Sequence, residues 1–312
     1  MYYIGVDLGG TNIAVGVVTE EGKILATDSV PTMAEREYPE IVADMAMVCK
    51  RVVEKAGLEM KDIKAIGIGT PGSVDHENGV VLYANNLKFE DTPLAEELGK
   101  YFDVPIRLEN DANAAAYGEY VVNGNGAKDF VFITLGTGVG GGIIINEKLY
   151  TGFNGIGGEL GHMTIIHGGK MCSCGNPGCW EAYASVTALI SQTKEAIEKN
   201  PDSLMAKLAE ENGEVSGRTA FEAAKKGDAA GLAVVAQYRE YVASGIMNII
   251  NIFQPERIMI GGGISREGEY LIAPIREYCK KYGYNKNIKQ TDIQAATLFG
   301  DAGIVGAALA AK

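Results

Sequence analysis

DLGGTNIAVGVVTEEGKIL (residues 7–25) and TLGTGVGGGIIINEKLY (residues 134–150) follow one plan. Each runs from an apolar strand through a glycine-rich turn into a second apolar strand, then through a polar turn toward a third. A stretch this patterned, met twice in one chain, reads as an internal duplication. The rest of the chain fits around it. Residues 35–56 and 94–102 show helical spacing, 65–69 and 106–108 are short strands, and 113–122 is a helix. After a cysteine-rich loop come mostly helices from 186 to 253, a strand at 257–260, and a small-residue helix at 302–311. The fold expected is α/β, two related halves facing one cleft. Its smaller domain is residues 1–112 plus 301–312, and its larger domain is 113–300 with the cysteine loop.

Composition narrows the partners. The 312 residues carry a formal net charge of −12 with 46% hydrophobic residues, which suits a buried globular core and opposes nucleic acid or an anionic membrane as partner. Glycine is abundant (41) and proline scarce (9), so the glycines are expected at tight backbone positions. The N-terminus MYYIGVDLGG has no basic or sustained apolar region of an export signal. The longest apolar candidate for a membrane span, residues 242–253, is broken by Ser244, Asn248 and Asn251. Five cysteines, three of them in one short loop, do not form a secreted disulfide framework, so a cytoplasmic location is expected, with Cys49 and Cys279 as core residues.

Glycine turns between strands let backbone N–H groups approach phosphate oxygens without interference from a Cβ. Two of them in equivalent repeat positions are expected to clamp a triphosphate. The candidate nucleotide contacts are Asp7, Gly9, Gly10, Thr11 and Asn12 in the first repeat, then Thr134, Gly136, Thr137 and Gly138 in the second. Gly261, Gly262 and Gly263 follow a buried-looking strand and join the same list. Asp7, read as the tip of its turn, is placed to hold Mg²⁺ or its water.

His162, Cys172, Cys174 and Cys179 form a C-x-C-x₄-C cluster with a histidine ten residues upstream. Four such ligands fit a closed, tetrahedral, structural Zn²⁺ site. One ring nitrogen of His162 would face the metal and the other a substrate. Glu159 lies three residues before His162, and Glu181 two after Cys179, so the metal would order both carboxylates. Asn110-Asp111 sits where a strand gives way to a helix, as a ligand site or as a helix cap. Carboxylates, an amide and an imidazole together suit a polyhydroxylated substrate.

With Gly158-Glu159-Leu160-Gly161-His162 and Cys172-Ser173-Cys174-Gly175-Asn176-Pro177-Gly178-Cys179-Trp180-Glu181 beside the two glycine turns, the whole chain resembles the ROK family (repressor, open reading frame, kinase), and within it the bacterial glucokinases. The resemblance implies a duplicated actin-like ATPase (ribonuclease H-like) fold, ATP with Mg²⁺ as cosubstrate, one structural zinc, and assembly into homodimers or homotetramers. It implies hexose contacts at Asn110, Asp111, Glu159, His162 and Glu181, with Asp111 as catalytic base and Gly72 and Asn85 lining the pocket. Glucose phosphorylated at its 6-hydroxyl is the expected reaction; mannose, fructose, allose and N-acetylmannosamine stay open. Many relatives carry Lys where this chain has Asn12. The family's repressors carry an N-terminal DNA-reading extension, for which a first strand at Tyr2 leaves no room.

Overall fold

A computed structural model describes residues 1–284 and 286–312. The first repeat folds into β1 (Tyr2–Leu8), β2 (Asn12–Thr19) and β3 (Ile24–Pro31). They are followed by α1 (Tyr38–Lys55), β4 (Ile63–Thr70), β5 (Ser73–Asp75), β6 (Val80–Ala84), β7 (Phe89–Thr92), α2 (Leu94–Gly99), β8 (Ile106–Asn110) and α3 (Asp111–Asn123). The second repeat gives β9 (Phe130–Leu135), β10 (Val139–Ile145) and β11 (Lys148–Tyr150). Beyond the cysteine loop lie α4 (Glu181–Ala184), α5 (Val186–Lys199), α6 (Leu204–Asn212), α7 (Thr219–Lys225) and α8 (Ala229–Phe253). The chain continues through β12 (Arg257–Gly261), α9 (Glu269–Tyr282), β13 (Asp292–Ala295) and α10 (Ala302–Ala310).

The duplication is visible in the sheets. One has the order β3-β2-β1-β4-β8 and the other β11-β10-β9-β12-β13, the same permutation of a two-hairpin meander followed by two added strands. In the first sheet β2 runs antiparallel to β1 and β3, while β4 is parallel to β1 and to β8. The added three-stranded sheet β5-β6-β7 was not expected. Strands of three to five residues such as Ser73–Asp75 are too short to show a periodic signal.

Contacts group the chain into two units. The first comprises residues 1–132, 142–158 and 297–312, the second 133–141 and 159–296. Helix α3 and residues 142–158, assigned from the sequence to the larger domain, group instead with the first unit. The reason for α3 is its contact with α10. A Cβ at Gly306 would lie 1.6 Å from the Ala114 carbonyl oxygen, so the two helix backbones meet where only glycine fits. On one side the first sheet buries Ile4, Val6, Val15, Ile66 and Ile68 with Ile41, Met45, Val48, Cys49 and Val52 of α1. Tyr3, Val18 and Ala65 instead cluster with Ile304, Val305, Ala308 and Leu309 of α10. Helix α10 is apolar all round and almost wholly buried, as such a composition requires. Cys49 and Cys279 are core residues as expected, and burial pushes both thiols up to about 12.

In the second unit the largest anchor is Trp180, fully buried directly after the last cysteine. Its Nε1–H donates to the Tyr241 carbonyl (2.8 Å), satisfying the one polar atom that burial would otherwise orphan. Gly245 of α8 admits the indole, since a Cβ there would lie 2.1 Å from the ring. Among the described residues no helix is long and apolar enough to cross a membrane.

Candidate active site

Two candidate clusters emerge, one in each unit. In the first, Asn110 and Asp111 lie at the junction of β8 and α3, and the cap alternative resolves between them. Asn110 is the cap. Its Oδ1 accepts from the N–H groups of Ala112 (3.0 Å) and Asn113 (3.2 Å), which fixes the amide so that Nδ2 donates to the Gly72 carbonyl (3.1 Å). Gly72 and Asn110, both expected in the pocket, are thus joined. Asp111 is released from capping duty at the first helical position, where it holds the Ala112 N–H (2.8 Å). Asn85 sits exposed between β6 and β7, and its Oδ1 receives a long bond from the Tyr83 hydroxyl (3.4 Å).

Asp7 is not the tip of a turn. It lies within β1, in register with Ala14 of β2 and Gly69 of β4. Its carboxylate faces Gly303 of α10, where a Cβ would come within 2.8 Å. Burial first, and the charge of Asp111 second, raise its pKa to about 6. Burial raises that of Asp111 as well. Carboxylate oxygens are the donor type that Mg²⁺ takes. The turn beyond β1 is closed by the Gly9 N–H on the Asn12 carbonyl (3.0 Å) and by the Thr32 hydroxyl on the Gly9 carbonyl (2.6 Å). Gly10 packs against Asn86, while Thr11 and Asn12 are exposed.

Glu109 was missed. It is buried, accepts from the Asn110 backbone N–H (2.9 Å) and the Asn113 amide (3.1 Å), and lies 3.7 Å from His76 Nδ1. Burial raises its pKa. The available signal was a carboxylate at an inward register of a short strand, next to Asn110.

In the second unit the glycine-rich run 136–142, which reads as one turn in the sequence, turns only over its first three residues. Gly140, Gly141 and Gly142 belong to β10, so the turn is Gly136-Thr137-Gly138. The Gly136 N–H bonds the Gly138 carbonyl (3.0 Å). The carbonyls of Gly136 and Thr137 accept from the Val186 N–H and the Thr187 hydroxyl (both 2.8 Å) at the start of α5. Thr134 is half-buried in β9. Gly262 (φ +85°) turns against the Leu135 carbonyl, 2.2 Å from where a Cβ would stand, so its glycine is a packing requirement; Gly263 has open space around it and stays available to a ligand.

The metal-type ligands converge. The ligand atoms of His162, Cys172, Cys174 and Cys179 all lie within 4.8 Å of one another. Cys172 Sγ is 3.6 Å from His162 Nδ1, and Cys174 Sγ is 3.6 Å from Cys179 Sγ. A Zn²⁺ tetrahedron has S···S edges of about 3.8 Å and S···N edges of about 3.5 Å, so these residues fit the ion. With Nδ1 turned to the sulfurs, Nε2 points from the opposite edge of the ring. Short bridges, Thr164 to Cys179 and Met171 to Pro177, brace the loop. Glu159 precedes the 3₁₀ turn Leu160–His162 and is exposed; a three-residue period puts it in line with His162. Glu181 opens α4, and its Oε2 accepts the Val139 N–H at 2.9 Å.

The ROK family profile matches residues 3–312. The chain belongs to the ROK family. A glucokinase of Thermotoga maritima is 40% identical over 98% of this chain and 95% of its own. The ROK glucokinase of Streptomyces griseus, solved in complex with glucose and AMPPNP, matches with a TM-score of 0.83 at 37% identity, covering 99% of this chain and 98% of its own. The xylose repressor of Caldicellulosiruptor bescii is 32% identical over 97% of this chain and 76% of its own. The architecture of this ROK chain is the duplicated actin-like ATPase fold.

The raised carboxylates give a pH signature. If Asp7 and Asp111 both act ionised, kcat/KM should fall as pH is lowered through about 6, where Asp7 takes up its proton. The sign for stability is opposite. A raised carboxyl pKa stabilises the fold fully below the ordinary 3.8 and loses that contribution as pH rises through about 6. An activity profile flat from pH 5 to 7 would reject the assignment.

Proposed function

We propose that this ROK protein is an ATP-dependent hexokinase that converts glucose to glucose 6-phosphate, with Asp111 as general base. The observation that carries the reading is Asp111 itself, a carboxylate freed from capping by Asn110, raised in pKa by burial and adjacent in charge to Asp7. Asp111 takes the proton of the sugar 6-hydroxyl as that oxygen bonds the γ-phosphorus, and the bond from phosphorus to the bridging oxygen breaks to release ADP. Mg²⁺ arriving with ATP would be held by Asp7 and would offset charge on the phosphates. Backbone N–H groups of the two glycine turns are the phosphate donors in this reading. In this reading Asn110, Glu159, His162 and Glu181 supply acceptors and donors to the remaining hydroxyls, and Gly72 and Asn85 belong to the same contact set.

A structural Zn²⁺ on His162, Cys172, Cys174 and Cys179 holds the loop that carries Glu159 and Glu181. A cytoplasmic setting, which keeps such thiols reduced, and assembly into homodimers or homotetramers complete the proposal.

The likeness to a xylose repressor supports a second reading, a sugar-responsive regulator, against which stands the net charge of −12. A coupled assay of hexose-dependent ADP formation separates the two. Across glucose, mannose, fructose, allose and N-acetylmannosamine, glucose is expected to rank first in kcat/KM. No ADP formation with any of them would remove the kinase reading.

A further inference from the structure

The turn Gly136-Thr137-Gly138 has so far been counted as a phosphate element, but one of its bonds goes elsewhere. The N–H of Val139, the residue just past it, donates to Glu181 Oε2 at 2.9 Å. A Cβ on Gly138 would stand 2.2 Å from that same oxygen and 3.1 Å from the carboxyl carbon. The second oxygen, Oε1, is 3.4 Å from the Ser173 hydroxyl in the cysteine loop. One end of the carboxylate is therefore seated in the turn and the other faces the loop.

Neither seat can give way easily. The turn is tied to α5 through the Gly136 and Thr137 carbonyls, and Ser185 caps that helix by accepting the Ala188 N–H. The Glu181 backbone follows Trp180, whose indole is fully buried and hydrogen-bonded to α8. Any side chain at Gly138 must therefore swing the Glu181 carboxylate rather than move the turn. The backbone at Gly138 is outside the positive-φ region, so alanine is tolerated there in every respect except this contact.

We infer that Gly138 and the Val139 N–H are positioning elements for the hexose side of the site, orienting Glu181, rather than nucleotide contacts alone. The inference rests on the reading that Glu181 touches the sugar. A charge-assisted bond to a backbone N–H fixes Oε2, so that Oε1, beside the Ser173 hydroxyl (3.4 Å) and the Cys172 thiol (3.7 Å), meets a sugar hydroxyl in a set direction. Losing that orientation removes a directed, charged hydrogen bond to the ligand, worth roughly 10-fold to 100-fold in affinity.

The test is calorimetric, on the full-length zinc-loaded protein. Glucose and, separately, a non-hydrolysable ATP analogue are titrated into wild type, Gly138→Ala, Glu181→Ala and the double variant. The expected result is that Gly138→Ala weakens glucose by about 10-fold or more, holds the nucleotide within about 3-fold, and adds nothing further in the Glu181→Ala background. Unchanged glucose affinity in Gly138→Ala, an equal loss of nucleotide affinity, or additive penalties would each overturn the positioning role. If Glu181→Ala itself binds glucose like wild type, the sugar contact falls and the inference with it. Glu181→Asp in the Gly138→Ala background gives an independent check, since one methylene less restores room and should recover part of the glucose affinity.

Discussion

Asp111→Asn is expected to lower kcat by about 10²-fold to 10⁴-fold, the usual worth of a positioned general base. Calorimetric affinity for glucose should stay within about 3-fold, or ~0.6 kcal/mol. The separation is credible because the substitution disturbs so little. Asn is the same size as Asp and keeps an oxygen for the Ala112 N–H that Asp111 now holds. The cap of α3 belongs to Asn110 and is untouched. What disappears is the proton acceptor, together with the negative charge that helps to raise Asp7. A second readout follows: Asp7, followed by carboxyl NMR in the variant, should titrate lower than in wild type. Near-normal turnover would dismiss Asp111 as the base, and an unmoved Asp7 would deny the coupling between the two groups.

Cys174→Ser should abolish the metal. Elemental analysis is expected to find about one zinc per wild-type chain and almost none in the variant, with glucose affinity weakened by about 10-fold or more. Cys174 is the informative ligand because its thiol is exposed, whereas Cys172 and Cys179 are buried. Serine at 174 leaves no cavity, so the effect traces to ligation and not to lost packing. Without the ion, His162 loses the partner that sets its ring, and the loop between Leu160 and Trp180 relies on its short bridges and backbone hydrogen bonds alone. Limited proteolysis should then cut within residues 163–178, a change independent of activity. A zinc-free protein that binds glucose normally would refute the organising role.

Much of this was legible from the chain because its signals are local. The repeated strand-turn-strand text predicted both meanders, and the sheets bear it out with a common strand order. The cysteine spacing predicted a four-ligand cluster, and the ligand atoms converge. What failed to show was whatever depends on residues far apart in sequence. Asp7 reads as part of a turn because Gly9 and Gly10 follow it, yet pairing with β4 keeps it in a strand. The glycine run 136–142 looks uniform in text, but only its first three residues turn. Gly142 instead clears Ala116 of α3, where a Cβ would lie 2.4 Å from that methyl. Glu109 and Trp180 were passed over because their roles come from partners more than 30 residues away, His76 and Tyr241.

The seating of α10 bears on how the chain is made. Its residues Ile304, Val305, Ala308 and Leu309 cover Tyr3, Val18 and Ala65 on strands that leave the ribosome first. Vectorial synthesis thus delivers a sheet with one apolar face bare, and that face stays bare from the end of β8 at Asn110 until α10 begins at Ala302. The second unit, which ends at Ala296, is itself complete only shortly before α10 begins at Ala302. Closure of the N-terminal unit therefore waits for the last helix of the chain to be made.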